Sequence, residues 1–396
     1  SSTWVGAPCL LCVSGSEPKG FLVGRYPFWT YFVFPRLRAS PPHSRARSPD
    51  EGARQQASVH GEERCGGADS SNASAGSLRD MSTMLNSRIL VTGSAGLIGT
   101  ALQHALRRAG HEVRELDCTF HESCPEYGDV NSPDMVARAV RDCTGIVHLA
   151  AVSRVLWGEQ DPGECWRTNV DGTGNVLRAA LEAERSPWVL FVSSREVYGQ
   201  AHCLPVREDA PLHPINIYAH AKVEGERRVF RARERGMQTA IVRLSNAYGS
   251  VFDHVDRVVP AFARASAFGL PMTLEGPGNT FDFTHVEDVA SGLLSVVARL
   301  QRGVMDMPTL HLTTGRPTTL RELAAMANTA GGDRSELIES AHRDFDVSRF
   351  VGDPSLAARC LGWRPRVSIE QGVTRMVDAF RTIRPPFDPA SVTLRL

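Results

Sequence analysis

At 396 residues, with 42% hydrophobic and 22% charged residues, the chain has the composition of an ordinary enzyme and length for one large or two small domains. Its 44 basic and 44 acidic residues cancel, so charge gives no reason to expect a nucleic acid or an anionic membrane as partner, and small polar substrates are the default. Nine mostly isolated cysteines, of which only Cys9 and Cys12 have CxxC spacing, give neither a disulfide framework nor a metal site and fit a reducing cytoplasm.

Residues 1–84 differ from the rest. Runs such as RLRASPPHSRARSPDEGARQQ and GGADSSNASAGS lack helical or strand periodicity, and disorder is expected there. The aromatic stretch at 21–34 is too short for a bilayer span and is interrupted by Arg25 and Pro27. A reading-frame extension, with the start near Met81 or Met84, is the preferred account; a targeting peptide built on the arginine-rich stretch 36–47 is the alternative. From Arg88 strands and helices alternate. RILVTG, HEVREL, GIVHLAA, PWVLFVSS and QTAIVRLSN read as strands. LIGTALQHALRRAG, SPDMVARAVRD behind a Ser132 cap, a segment at 165–184 and one through Tyr218 read as helices. This order predicts an α/β fold with a doubly wound parallel sheet, a Rossmann domain over 85–260. Past 261 the pattern is broken at Gly269, Pro271 and Pro317, which predicts a smaller, partly helical substrate-binding lobe over 261–384, interleaved with that domain.

The first strand runs directly into GSAGLIG, placing Gly93, Gly96 and Gly99 between strand and helix, where glycine lets backbone amides approach a pyrophosphate. Asp117 ends the second strand, where a carboxylate can accept hydrogen bonds from an adenosine ribose, and Cys118, Thr119 and Phe120 supply no arginine for a 2′-phosphate. The expected cofactor is therefore NAD. Further on, YAHAK sets Tyr218 and Lys222 one helical turn apart. A tyrosine base needs nearby positive charge to favour its phenolate, and Lys222 is, with Lys19, one of only two lysines in an otherwise all-arginine basic set. Ser194, at the carboxyl edge of the sheet, can donate a hydrogen bond to a reacting oxygen.

Taken together, the glycine loop, GDV at 128–130, HLAA at 148–151, TNVDGT at 168–173, SSREVYG at 193–199, YAHAK, RLSNAYG at 243–249 and LGWRP at 361–365 resemble the extended short-chain dehydrogenase/reductase family, in particular its nucleotide-sugar epimerases and dehydratases. The resemblance implies that Leu97, Ile98, Asp129, Val130, Leu149, Ala150, Ala151 and Asn169 line the cofactor beside the three glycines, Asp117, Tyr218 and Lys222. It implies a nucleotide-sugar substrate contacted by Ser194, Tyr218, Asn246, Arg343 and Asp346, and a homodimer packed through helices of the Rossmann sheet. Two departures stand out. Where many members have an arginine that grips the diphosphate, this chain has Phe281, so Arg257 or Arg343 is expected to take over. Where sugar 4,6-dehydratases have Asp-Glu, it has Arg195 and Glu196, and a guanidinium cannot serve as the elimination acid. The expected reaction is NAD-dependent epimerisation at carbon 4 of a UDP-sugar, UDP-glucose or UDP-glucuronate, through a transient 4-keto intermediate. Arg195 can complement a carboxylate at carbon 6, or form a loop salt bridge. The catalytic set that the resemblance implies is Ser194, Tyr218, Lys222 and Glu196; decarboxylation of UDP-glucuronate, with which Glu196 is compatible, or another nucleotide-sugar dehydratase or reductase activity is the alternative, and a non-catalytic NAD sensor is a third reading.

Overall fold

The computed structural model describes residues 87–341 and 347–382. The tract 1–84, Cys9 and Cys12 within it, and the expected nucleotide contacts Arg343 and Asp346 lie outside the described residues. Six parallel strands form one sheet: β1 (Arg88–Thr92), β2 (Glu112–Leu116), β3 (Gly145–His148), β4 (Trp188–Ser194), β5 (Thr239–Leu244) and the strand Leu310–Leu312. From one edge the order is Leu310–Leu312, β5, β4, β3, β1, β2, so the winding reverses between β1 and β3. Ligands of such sheets bind at the carboxyl ends of the strands, at that reversal.

Apart from the edge strand β2, whose Glu112, Arg114 and Glu115 are exposed or half-buried, the strands are nearly continuous runs of buried, mostly apolar residues because helices cover both faces. Alternation within each strand sends its side chains to opposite layers. Ile89, Val91, Val147, Leu190 and Val242 pack with Leu102 and Leu106 of helix Leu97–Arg108 and Leu293 and Val297 of helix Val286–Gln301. Leu90, Ile146, Val189, Phe191 and Ile241 pack with Val136, Val176 and Val229 on the other side. The helix expected at 165–184 is instead three pieces: Pro162–Trp166, a π-helical turn Arg167–Asp171, and Gly172–Glu182. Gly172 is pressed against the GDV segment at 128–130, since a Cβ there would lie 2.7 Å from Val130 Cγ2.

Sheet and lobe exchange elements. Leu310–Leu312 and helix Val286–Gln301 come from beyond 261 yet complete the sheet, whereas Asn246–Tyr248, from before 260, pairs with Phe283–His285 outside it. The lobe has its own core, including Phe262, Met272, Leu274, Leu323, Val373 and Met376. LGWRP straps it down. Trp363 Nε1 donates to the Asp288 carbonyl at 3.0 Å, and the Arg366 and Val367 amides donate to Asp288 Oδ2 at 3.0 and 2.9 Å. No helix of the described residues is long and apolar enough to cross a membrane.

Candidate active site

At the end of β1 the chain turns at Gly93, whose φ of 70° is a left-handed conformation that glycine adopts without strain. Its amide donates to the Leu116 carbonyl at 2.9 Å, and a Cβ would lie 2.6 Å from the Ala150 nitrogen, so the loop is pinned across the ends of β1, β2 and β3. Gly99 is equally confined, a Cβ there falling 2.3 Å from the Gly93 carbonyl oxygen. Gly96 is different. Its φ of −70° suits any residue, and its nearest neighbour would be an ordinary 3.4 Å away. Nothing among the described residues requires glycine at 96. The helix that begins after it has no side-chain cap and no acid in its first turn, and the buried Ser94 hydroxyl has no partner among the described residues. Open amides beside a glycine with free space fit a pyrophosphate. Gly99→Ala is accordingly expected to lower both thermal stability and NAD affinity, and Gly96→Ala to weaken NAD binding while leaving the melting temperature near wild type. Calorimetric titration with NAD and thermal denaturation check this, and unchanged NAD affinity in Gly96→Ala sinks it.

Asp117 stands at the loop's mouth. Its Oδ2 accepts from the Ala95 amide at 2.9 Å and its Oδ1 from the Thr119 amide and hydroxyl at 2.9 and 2.8 Å. Asp129 turns its own Oδ1 to the Asn131 amide at 2.8 Å, and Val130 is buried with its carbonyl held by Asn175 at 2.9 Å. Beyond β3, Asn169 does not project into open space. Its Oδ1 accepts from the Val152 amide at 2.7 Å and its Nδ2 donates to the Val152 carbonyl at 3.0 Å, so it clamps the segment that follows Leu149, Ala150 and Ala151. The π-helical turn aims it there.

A supporting strut that sequence reasoning missed runs behind this segment. Thr173 donates to the Asn169 carbonyl at 2.7 Å, leaving its oxygen to accept from His148 Nε2 at 3.0 Å; His148 Nδ1 then accepts from Thr92 at 2.7 Å, and Thr92 Oγ1 accepts from the Ala150 amide at 3.2 Å. Burial, with the Lys222 charge, pushes the His148 imidazole down to about 3, so it is neutral and holds this single tautomer. The first residue of HLAA and the last of TNVDGT were the available signals.

Helix Ile217–Glu234 starts at Asn216, whose Oδ1 caps the Ala219 amide at 2.8 Å. It places Tyr218 and Lys222 against the end of β4, both buried, with Tyr218 packed on Cys165, Val170 and Ala221. Ser194 lies close enough to the Tyr218 hydroxyl to favour its ionised form. Burial pushes the hydroxyl up to about 12, which Ser194 and the nearby Arg257 charge oppose and Glu196 reinforces. Lys222 Nζ donates to the Val192 carbonyl at 3.0 Å and lies 5.9 Å from the centre of the Tyr218 ring. Burial pulls its ammonium down to about 8, against the opposing pull of Cys165 and Glu226, so it is charged at pH 7 and neutral in alkali.

Glu196 sits beside these groups with both oxygens engaged, Oε1 at 2.8 Å from Arg195 and Oε2 accepting from Asn216 Nδ2 at 3.1 Å. Arg257 reaches in from the start of helix Val258–Phe268, donating to Ser153 Oγ at 3.4 Å and pairing with Asp253 at 3.5 Å. Asn246 is half-buried at the start of its short strand, its amide donating to the Asp282 carbonyl at 3.2 Å. A hollow of about 440 Å³, lined by Trp166, His220, Arg227 and Phe230 among others, contains none of Ser194, Tyr218 or Lys222 and lies along another face of the same helix.

A glycine loop at the winding reversal and a buried tyrosine and lysine beside a half-buried serine one strand away define a dinucleotide-dependent enzyme of the Rossmann class. The chain belongs to the NAD dependent epimerase/dehydratase family, whose model matches residues 89–306. A dTDP-glucose 4,6-dehydratase of Streptomyces antibioticus is 30% identical over 76% of this chain and 94% of its own. A UDP-glucose 4-epimerase of Mycolicibacterium smegmatis is 31% identical over 74% of this chain and 98% of its own. Among solved structures, a Thermus thermophilus UDP-glucose 4-epimerase in complex with NAD has a TM-score of 0.67 at 28% identity, covering 75% of this chain and all of that one. The protein is an NAD-dependent enzyme of the nucleotide-sugar epimerase/dehydratase type.

Proposed function

We propose that the enzyme epimerises a UDP-sugar, UDP-glucose or UDP-glucuronate, at carbon 4 through a transient 4-keto sugar. The observation that carries this reading is the Arg195–Glu196 ion pair beside Tyr218, at 2.8 Å. It puts a guanidinium, which does not release its proton, where elimination of water needs an acid. The catalytic tyrosine is then left with a keto sugar whose exit is reduction at the same carbon.

In this reading the glycine loop, Asp117 and the segment Leu149, Ala150 and Ala151 hold NAD, which supplies a reversible hydride acceptor when bound. Tyr218 takes the proton of the carbon-4 hydroxyl and later returns it. Ser194, beside the tyrosine oxygen, donates to the same substrate oxygen as charge develops. Lys222 brings a buried positive charge to the phenolate, and with one of its three donors on the Val192 carbonyl it has two more for cofactor and substrate. Asn246 and Arg257 serve the substrate's diphosphate.

Decarboxylation of UDP-glucuronate is the second reading, favoured by Glu196 lying within electrostatic reach of Tyr218. Incubating the purified protein with UDP-glucose and, separately, UDP-glucuronate, without added NAD, and following the sugar by NMR decides between them. A 4-epimer is the expected product. A pentose with release of carbon dioxide supports decarboxylation, and a stable keto sugar or no change with either substrate overturns the proposal.

A further inference from the structure

The two positions at which the chain departs from the motifs of its family, 195 and 281, meet in space. Arg195 is buried, its Cζ lying 4.6 Å from the centre of the Phe281 ring and 6.0 Å from that of Phe350. One edge of the guanidinium is paired with Glu196 at 2.8 Å. The other terminal nitrogen, NH1, is sealed from solvent and has no hydrogen-bond partner among the described residues. A buried cationic donor without an acceptor is disfavoured, and such groups are retained where something else meets them.

The acceptor's place follows from what surrounds the arginine. The Glu196 that pairs with it is held by Asn216, the cap of the helix that carries Tyr218 and Lys222, and its chain neighbour Ser194 stands near the Tyr218 hydroxyl. Arg195 therefore belongs to the reacting end of the substrate. The phenyl rings of Phe281 and Phe350 hold the guanidinium in place and exclude water, which strengthens a charged hydrogen bond.

The geometry points to Arg195 as the specificity-determining residue for a carboxylate on the sugar itself, making the substrate class nucleotide-linked uronates rather than neutral hexoses. The inference rests on the assignment of carbon 4 to Tyr218, because the exocyclic carbon of the same ring is then the group that Arg195 can meet.

The test compares UDP-glucuronate with UDP-glucose on the NAD-loaded enzyme, by calorimetric binding and by kcat/KM. The wild type is expected to prefer the uronate by on the order of ten- to a hundredfold, as one charge-assisted hydrogen bond gives. Arg195→Gln is expected to bring that ratio close to one, and Arg195→Lys, which keeps the charge beside Glu196, to retain part of it. A ratio unchanged in Arg195→Gln, both substrates weakening alike, means that the arginine grips the diphosphate in place of the residue lost at 281 and overturns the inference. So does a wild type that binds both sugars equally, a comparison that stands even if the glutamine variant does not fold. Tight uronate binding without a 4-epimer removes the reaction and leaves the carboxylate site, whereas equal epimerisation of both sugars removes the site and leaves the reaction.

Discussion

Tyr218→Phe is expected to lower kcat by about 10²- to 10⁴-fold, the range of a single positioned acid/base group, with little change in NAD affinity. The substitution removes one oxygen and keeps the ring that packs on Cys165, Val170 and Ala221, so the helix and Lys222 stay where they are. What disappears is the group that exchanges a proton with the substrate. Its setting explains why the oxygen matters: burial pushes the phenol up to about 12, so the ionised form depends on Ser194 and on nearby positive charge. Rapid-quench or steady-state turnover together with NAD titration measures the split between kcat and binding. Activity within about tenfold of wild type would assign the proton to another group.

Arg243→Met is expected to cost about 3–5 kcal/mol of stability, the loss typical of a buried ion pair reduced to one charge. Arg243 on β5 and Glu226 on the helix of Tyr218 are both buried and joined by two hydrogen bonds, 2.9 and 2.7 Å long. The same guanidinium donates to the Tyr198 hydroxyl at 2.5 Å and to the Glu208 carbonyl at 2.9 Å, tying the turn after β4 to the strand beside it. Methionine fills much of the volume but leaves the buried Glu226 carboxylate without its counter-ion. Adding Glu226→Leu removes that carboxylate and is expected to recover most of the loss. Chemical denaturation of the two single variants and the double variant measures the coupling, and a single-variant loss below about 1 kcal/mol would mean that water reaches the pair.

Features written within a few consecutive residues were legible in the sequence. GSAGLIG between a strand and a helix, Asp117 at a strand end and the one-turn spacing of Tyr218 and Lys222 are local patterns, and the structure brings them together at the carboxyl edge of the sheet. Relations that span long separations were not. Asn169 is expected at the cofactor end of the site, but that it acts there by holding the Val152 backbone through both amide atoms, from within a π-helical turn, is not forecast by helical periodicity. His148 gains its meaning from Thr92 and Thr173, on a different strand and a different helix. Leu310–Leu312 is too short to carry an alternation signal but is fixed by its pairing with β5. Arg195 and Phe281 were each visible as departures, but their stacking depends on how the lobe folds back over the sheet.

The exchange of strands between sheet and lobe also bears on how such a chain can be remodelled. A gene fragment ending at 260 would leave β5 as an open edge and uncover the apolar residues that Leu293 and Val297 protect. It would also strand Asn246–Tyr248 without its partner. Cofactor and substrate modules are therefore not separate cassettes here. New sugar preferences in this scaffold have to arise by point changes inside the shared wall, such as those at 195 and 281, rather than by swapping one half of the chain for another.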